Sequence, residues 1–392
     1  MTTIKTGHQP QLSDAVNRIQ PSGIRRFFDL ASSMENIISL GVGEPDYSTP
    51  WNVREASIHS LERGITSYTA NAGLLELREA ISHYLQKRFE IMYDPKDEVV
   101  VTVGASEGID LALRAILNPG DEVLIAEPCF VSYAPLVSLI GGIPVAVPTS
   151  IETNFEVDAA EVEARITDKT KAIMLSFPNN PTGAVMGKEG LSKIARVVIN
   201  HNLIVISDEI YAELSYDEDH VSVPFLDGMW ERTILISGFS KAFAMTGWRI
   251  GYVAAPEPYA KAMLKIHQYA MMCASTMAQY AALEAITNGH EGMEEMIINY
   301  RQRRNYFVKS LREIGLTCHT PGGAFYAFPS IKQTNLTSEQ FAERLLLEQK
   351  VAVVPGQVFG EGGEGHIRCS YAASMKQLEE AVDRIDSFLK KL

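Results

Sequence analysis

Lys241 lies in the run Ser237-Gly238-Phe239-Ser240-Lys241-Ala242-Phe243, just past the β-branched segment Thr233 to Ile236. A lysine among apolar residues loses hydration of its ammonium, and the nearby cation Arg249 repels it further. Both effects lower its pKa and free the amine as a nucleophile or base. A lysine that snorkels to solvent suits this loop equally when the loop is taken alone. Three more apolar segments end in polar loops. Leu203 to Ile206 runs into Ser207-Asp208-Glu209-Ile210-Tyr211, whose aspartate either meets a cation or caps a following helix. Val99 to Val103 runs into Gly104-Ala105-Ser106-Glu107-Gly108, which can present backbone N–H groups to a phosphate or make an ordinary strand-to-helix turn. Ala172 to Leu175 leads to Asn179-Asn180-Pro181-Thr182-Gly183, a polar site or a tight turn.

The elements that hold these loops are legible as two periods. Leu74, Leu77, Ile81, Tyr84, Leu85 and Phe89 have helical spacing and predict an amphipathic helix. The four apolar runs above, with Val123 to Ala126, are bounded by Gly, Pro, Asn or Asp and separated by helical pattern. That predicts an α/β domain whose mostly parallel sheet is covered by helices on both faces. Ligands of such sheets sit beyond the carboxyl ends of the strands, where all four polar loops fall.

Past residue 290 the texture changes. A charged helix over Met293 to Ile314 leads to Pro321-Gly322-Gly323, then to strands near Ala324 to Phe328, Val351 to Val354 and Ile367 to Tyr371. A last helix starts at Met375 with Ser374 as its N-cap. The expected division is a large α/β domain over 47–290 and a smaller α+β domain made of 1–46 and 291–392. Tyr269 to Ile286, interrupted by Ser275, Thr276, Gln279 and Glu284, reads as one buried helix and not as a membrane span.

Composition narrows the function. With 392 residues, two domains are comfortable, and 46% apolar with 21% charged residues is the make-up of an ordinary globular protein. A formal charge of −13 argues against binding to nucleic acid or anionic lipid. Cys129, Cys273, Cys318 and Cys369 are scattered without a CxxC pair, and Met1 to Pro10 carries no apolar signal segment, so a cytoplasmic protein is expected. The histidines form no ligand-like cluster, so no metal is expected. Gly183 to Lys188 fails as a phosphate loop, and Gly41-Val42-Gly43-Glu44-Pro45 fails as a dinucleotide fingerprint.

An anion cradle, a buried acid, a polar asparagine and an activatable lysine are together what pyridoxal phosphate requires. The chain resembles the class I/II aminotransferases, pyridoxal-phosphate enzymes of fold type I, over essentially its whole length. Gly-Glu-Pro-Asp (43–46), Asn-Asn-Pro-Thr-Gly (179–183), Asp-Glu-x-Tyr (208–211) and Ser-Lys-x-Phe-x-x-Thr-Gly-Trp-Arg (240–249) stand in that family's order.

The resemblance implies roles. Lys241 would be the Schiff-base lysine and the general base and acid, and Asp208 would pair with the pyridine nitrogen. Asn180 and Tyr211 would bond the phenolic oxygen, with Phe130 stacked on the ring. Ala105, Ser106, Glu107, Ser237 or Ser240, and Arg249 would hold the cofactor, chiefly its phosphate. Relatives commonly carry a hydroxyl three positions before the lysine, where this chain has Gly238. Arg368 would grip the substrate carboxylate with Gly43 and Asn180, and its planar fork explains arginine in preference to lysine. Tyr68 would reach the cofactor of the neighbouring subunit, which implies a homodimer.

The expected activity is a ping-pong transamination from an L-amino acid of aromatic, aspartate or alanine type to 2-oxoglutarate. Ile24, Phe27, Phe130, Tyr133, Phe325 and Tyr326 are expected to line the substrate side, and Pro21 to Arg25 resembles the segment that closes the site in relatives. A C–S β-lyase on the same fold and a non-catalytic regulatory protein are the alternatives. The first would partition the same carbanion differently, and the second sits poorly with Lys241 and Asp208 both present.

Overall fold

The computed structural model describes residues 12–19, 21, 23 and 34–392. In chain order its first strands are β1 (Ile38–Ser39), β2 (Val99–Thr102), β3 (Glu122–Glu127) and β4 (Ile143–Pro148). They are followed by β5 (Thr170–Ser176), β6 (Ile204–Asp208), β7 (Thr233–Gly238) and β8 (Gly251–Ala254). Strands β2 to β8 form one seven-stranded sheet in the order β2-β8-β7-β6-β5-β3-β4. Strand β8 is antiparallel to both its neighbours, and every other pairing is parallel. The two reversals cancel, so β2 runs in the same direction as β7. The carboxyl ends of β2, β5, β6 and β7 therefore lie on one edge of the sheet.

Burial explains the continuous apolar runs. Strands β2 and β8 are buried at every position, and β5 to β7 nearly so, because helices cover both faces. Strand β4, Ile-Pro-Val-Ala-Val-Pro, is apolar too but is the least buried of the seven, because it is an edge of the sheet, where Pro144 and Pro148 are tolerated. The helix Leu75–Phe89 packs Leu77, Ile81 and Leu85 inward, as its spacing predicts. The single helix expected over Tyr269 to Ile286 is two. The helix Glu257–Ala270 stops, Met272 takes φ +71°, and a new helix runs Thr276–Asn288. Tyr269 is 86% exposed, so the apolar stretch is not one buried face.

Downstream lie the helix His290–Glu313 and the strands β9 (Tyr326–Ala327), β10 (Val351–Ala352), β11 (Val354–Pro355) and β12 (Ile367–Ser370). Strands β11, β12 and β9 form an antiparallel sheet, and β1 pairs in parallel with β10. Ile38 and Leu40 share a core with Phe307, Phe341, Ile385 and Phe388 of this region. The closing helix, Met375–Leu389, starts from a capping box of Ser374 and Gln377. Among the described residues, no helix is long and apolar enough to cross a membrane.

Candidate active site

The four strand-end loops meet around a cavity of about 570 Å³ at the carboxyl edge of the sheet. Lys241 lines it, three residues past the end of β7. Its Nζ donates to the Gly43 carbonyl at 2.6 Å and lies 5.7 Å from the ring centroid of Tyr211. Burial is the main reason its pKa falls from the ordinary 10.5 to about 8. Glu44 opposes the fall, and Arg368 and Arg249 add to it.

Asp208 closes β6 on the same edge and is 4% exposed. The Tyr133 hydroxyl donates to Oδ2 at 2.7 Å, and the Ile210 N–H donates to Oδ1 at 3.2 Å. Burial pushes this carboxyl up to about 6 against those two bonds. The residues after Asp208 form turns and not a regular helix, so it is not a helix cap.

Arg368 enters from β12 and is buried. Its Nη1 donates to Asn180 Oδ1 at 2.9 Å and its Nη2 to the Gly41 carbonyl at 2.6 Å. The guanidinium lies 4.5 Å from the Tyr326 ring centroid, and Nε has no partner among the described residues. A buried guanidinium facing neutral oxygens is an anion site in waiting. The hydroxyls of Tyr326 and Tyr211 lie 2.8 Å apart beside it.

The anion cradle is built on Gly104, at φ +79° ahead of the helix Ala105–Ile116. A Cβ there would fall 2.7 Å from Arg249 Nη2, so a side chain at 104 would displace the guanidinium from its place at the helix terminus. Ala105, Ser106 and Ser240 line the same end of the cavity. Small residues, a helix N-terminus and an arginine together suit a phosphate.

Two expected contacts are not made as expected. Ser237 still belongs to β7 and is turned away from the cavity, its Oγ donating to the Glu209 carbonyl at 3.3 Å. Of the two serines, Ser240 is the one that faces the cradle. The Glu107 carboxylate is also directed elsewhere, with Oε1 on His267 Nδ1 at 2.7 Å and Oε2 on the Val103 N–H at 2.5 Å.

The remaining expected residues sort cleanly. Gly43, Phe130, Tyr133, Asn180, Tyr211 and Tyr326 line the cavity, with Phe130 edge-on to Tyr133. Phe325 does not line it; it is fully buried behind Lys241. Tyr68 is 79% exposed and lies off the cavity of its own chain. Ile24, Phe27 and Arg25 lie outside the described residues. Sequence reasoning gave no role to Glu44, which accepts from Thr246 Oγ1 at 3.2 Å across the cavity mouth, although it stands inside the Gly-Glu-Pro-Asp motif.

The sequence pattern of the family "Aminotransferase class I and II" matches residues 35–385. The chain belongs to that family. YugH of Bacillus subtilis is 64% identical over 97% of this chain and 98% of its own. An aspartate aminotransferase of Pyrococcus abyssi is 48% identical over 97% of this chain and 98% of its own. The crystal structure of an aromatic aminotransferase from Pyrococcus horikoshii superimposes with a TM-score of 0.89 at 47% identity, covering 94% of this chain and 99% of that one. This aminotransferase therefore has the α/β fold of its family, and it transfers amino groups. The family uses pyridoxal phosphate.

Proposed function

We propose that this aminotransferase binds pyridoxal 5′-phosphate in the cavity and moves the amino group of an L-amino acid, of aromatic, aspartate or alanine type, to 2-oxoglutarate in a ping-pong sequence. One observation carries the reading: a lysine of lowered pKa, a buried carboxylate and a buried arginine without a carboxylate partner among the described residues line one cavity. When bound, pyridoxal phosphate supplies an aldehyde for the amino group and an electron-withdrawing ring.

The residues divide the work. Ser240, Arg249 and the N–H groups of Ala105 and Ser106 hold the phosphate, and Glu107 supports them from behind. Asp208, ionised when it meets a protonated ring nitrogen, keeps that nitrogen charged. Asn180 and Tyr211 serve the phenolic oxygen, and Phe130 packs on the ring. Lys241, as the neutral amine its burial favours, would take the proton from the substrate Cα and return it to the carbon on the far side of the amino nitrogen, two atoms away. Arg368 grips the α-carboxylate with the Gly43 backbone. The ring-lined walls of Phe130, Tyr133 and Tyr326 favour an aromatic donor.

The exposed Tyr68 supports a homodimer in which it completes the partner's phosphate site. The shared core of Ile38, Leu40 and the C-terminal helices supports a small domain of 1–46 and 291–392 beside a large one of 47–290. The scattered free cysteines support a cytoplasmic location. Replacing Lys241 with alanine should lower turnover at least about a thousandfold with the fold intact; a variant of undiminished rate overturns the proposal.

A further inference from the structure

His267 is completely buried in the helix Glu257–Ala270, away from the cavity wall. That helix packs along the helix Ala105–Ile116, whose first turn forms the anion cradle. The contact between them is polar at one point only among the described residues: His267 Nδ1 and Glu107 Oε1, 2.7 Å apart. A carboxylate can only accept, so Nδ1 carries the hydrogen. The other imidazole nitrogen, Nε2, has no partner among the described residues. The histidine is thus committed to one group, at the cost of a buried polar atom left unsatisfied.

What it holds is badly placed for an anion site. Glu107 is in the first helical turn, beside Ala105 and Ser106, and its carboxylate would repel a phosphate if it turned into the cradle. Instead its second oxygen takes the Val103 N–H at 2.5 Å. That bond fixes the residue before Gly104, the glycine against which Arg249 packs.

We propose that His267 is a positioning residue for the cofactor phosphate. It keeps the Glu107 carboxylate out of the cradle and clamped on the Val103–Gly104 backbone, so that Arg249 and the helix N–H groups meet the phosphate alone. This rests on the cofactor reading given above.

The test compares binding of pyridoxal phosphate and of pyridoxal, which lacks the phosphate, to the full-length cofactor-free protein by equilibrium dialysis. His267→Leu should weaken pyridoxal phosphate about tenfold or more and leave pyridoxal within about twofold. His267→Asn, which keeps an N–H near the place of Nδ1, should restore most of the loss. If the leucine variant does not fold, His267→Gln, whose amide lies nearer the place of Nε2 than of Nδ1 and so releases Glu107 while keeping a polar side chain, should give the same phosphate-specific loss. Equal weakening of both ligands, or of neither, overturns the proposal. Failure of the unaltered protein to bind pyridoxal phosphate at all would instead overturn the cofactor reading, and the role of His267 with it.

Discussion

Tyr133 donates its hydroxyl hydrogen to Asp208 Oδ2 at 2.7 Å, and both residues are buried. They are 75 positions apart, one at the start of the helix Tyr133–Leu139 and the other at the end of β6. The bond sets both the direction of the carboxylate and its charge, because a donated hydrogen favours the ionised form. Asp208 is thereby held ready for a cation at the base of the cavity.

Removing that donor should move the titration of Asp208 in the cofactor-free protein. Burial raises the Asp208 carboxyl and the Tyr133 bond lowers it, so Tyr133→Phe lets it rise further. The Asp208 carboxyl, followed against pH by its infrared stretch as the band that Asp208→Asn removes, should titrate about one pH unit higher in Tyr133→Phe than in the parent. An unmoved titration would mean that Tyr133 is packing only.

Asp208 itself should cost stability in the cofactor-free protein. Its carboxyl is raised from 3.8 to about 6, so between those values the folded chain holds a proton that the unfolded chain has lost. Stability from this group is therefore present below pH 3.8 and lost as pH rises to about 6, by roughly 3 kcal/mol at most. Asp208→Asn keeps an acceptor for Tyr133 and removes the charge. Thermal unfolding at pH 7.5 without cofactor should show the variant as stable as the parent or more so, while transamination is lost. A marked fall in its Tm would contradict this account of the burial cost.

Gly104 should be intolerant of any side chain. It sits at φ +79°, and its added Cβ would meet Arg249 at 2.7 Å. Gly104→Ala should lower stability by about 1–2 kcal/mol through backbone strain alone. It should also weaken pyridoxal phosphate about tenfold by displacing the guanidinium. Calorimetry and cofactor titration separate the two effects, and unchanged cofactor affinity would sink the cradle assignment.

What the sequence makes legible is local and periodic. Strands β5 to β7 announce themselves as apolar runs with polar ends, and Ser374 announces the last helix. What it hides depends on the direction in which a side chain leaves the backbone. Ser237 and Ser240 look interchangeable in the motif, but the first is still on the strand and faces Glu209, while the second lies beyond it on the cavity. Glu107 follows Ser106 by one residue, and that rotation about the helix carries it to His267. The Tyr133–Asp208 bond has no local signal at all, because only the pairing order of the sheet brings the two together. Strand β4 is hidden for another reason: Pro144 and Pro148 punctuate its apolar residues and read as strand breakers, whereas an exposed edge tolerates proline.

The central claim is tested most directly by the visible absorption spectrum of the purified protein with pyridoxal phosphate, before and after single L-amino acids. The account predicts a yellow band that requires Lys241, bleaches most readily with aromatic donors, and returns on adding 2-oxoglutarate. A protein that shows no band with added pyridoxal phosphate, or a band that no amino acid bleaches, would contradict it.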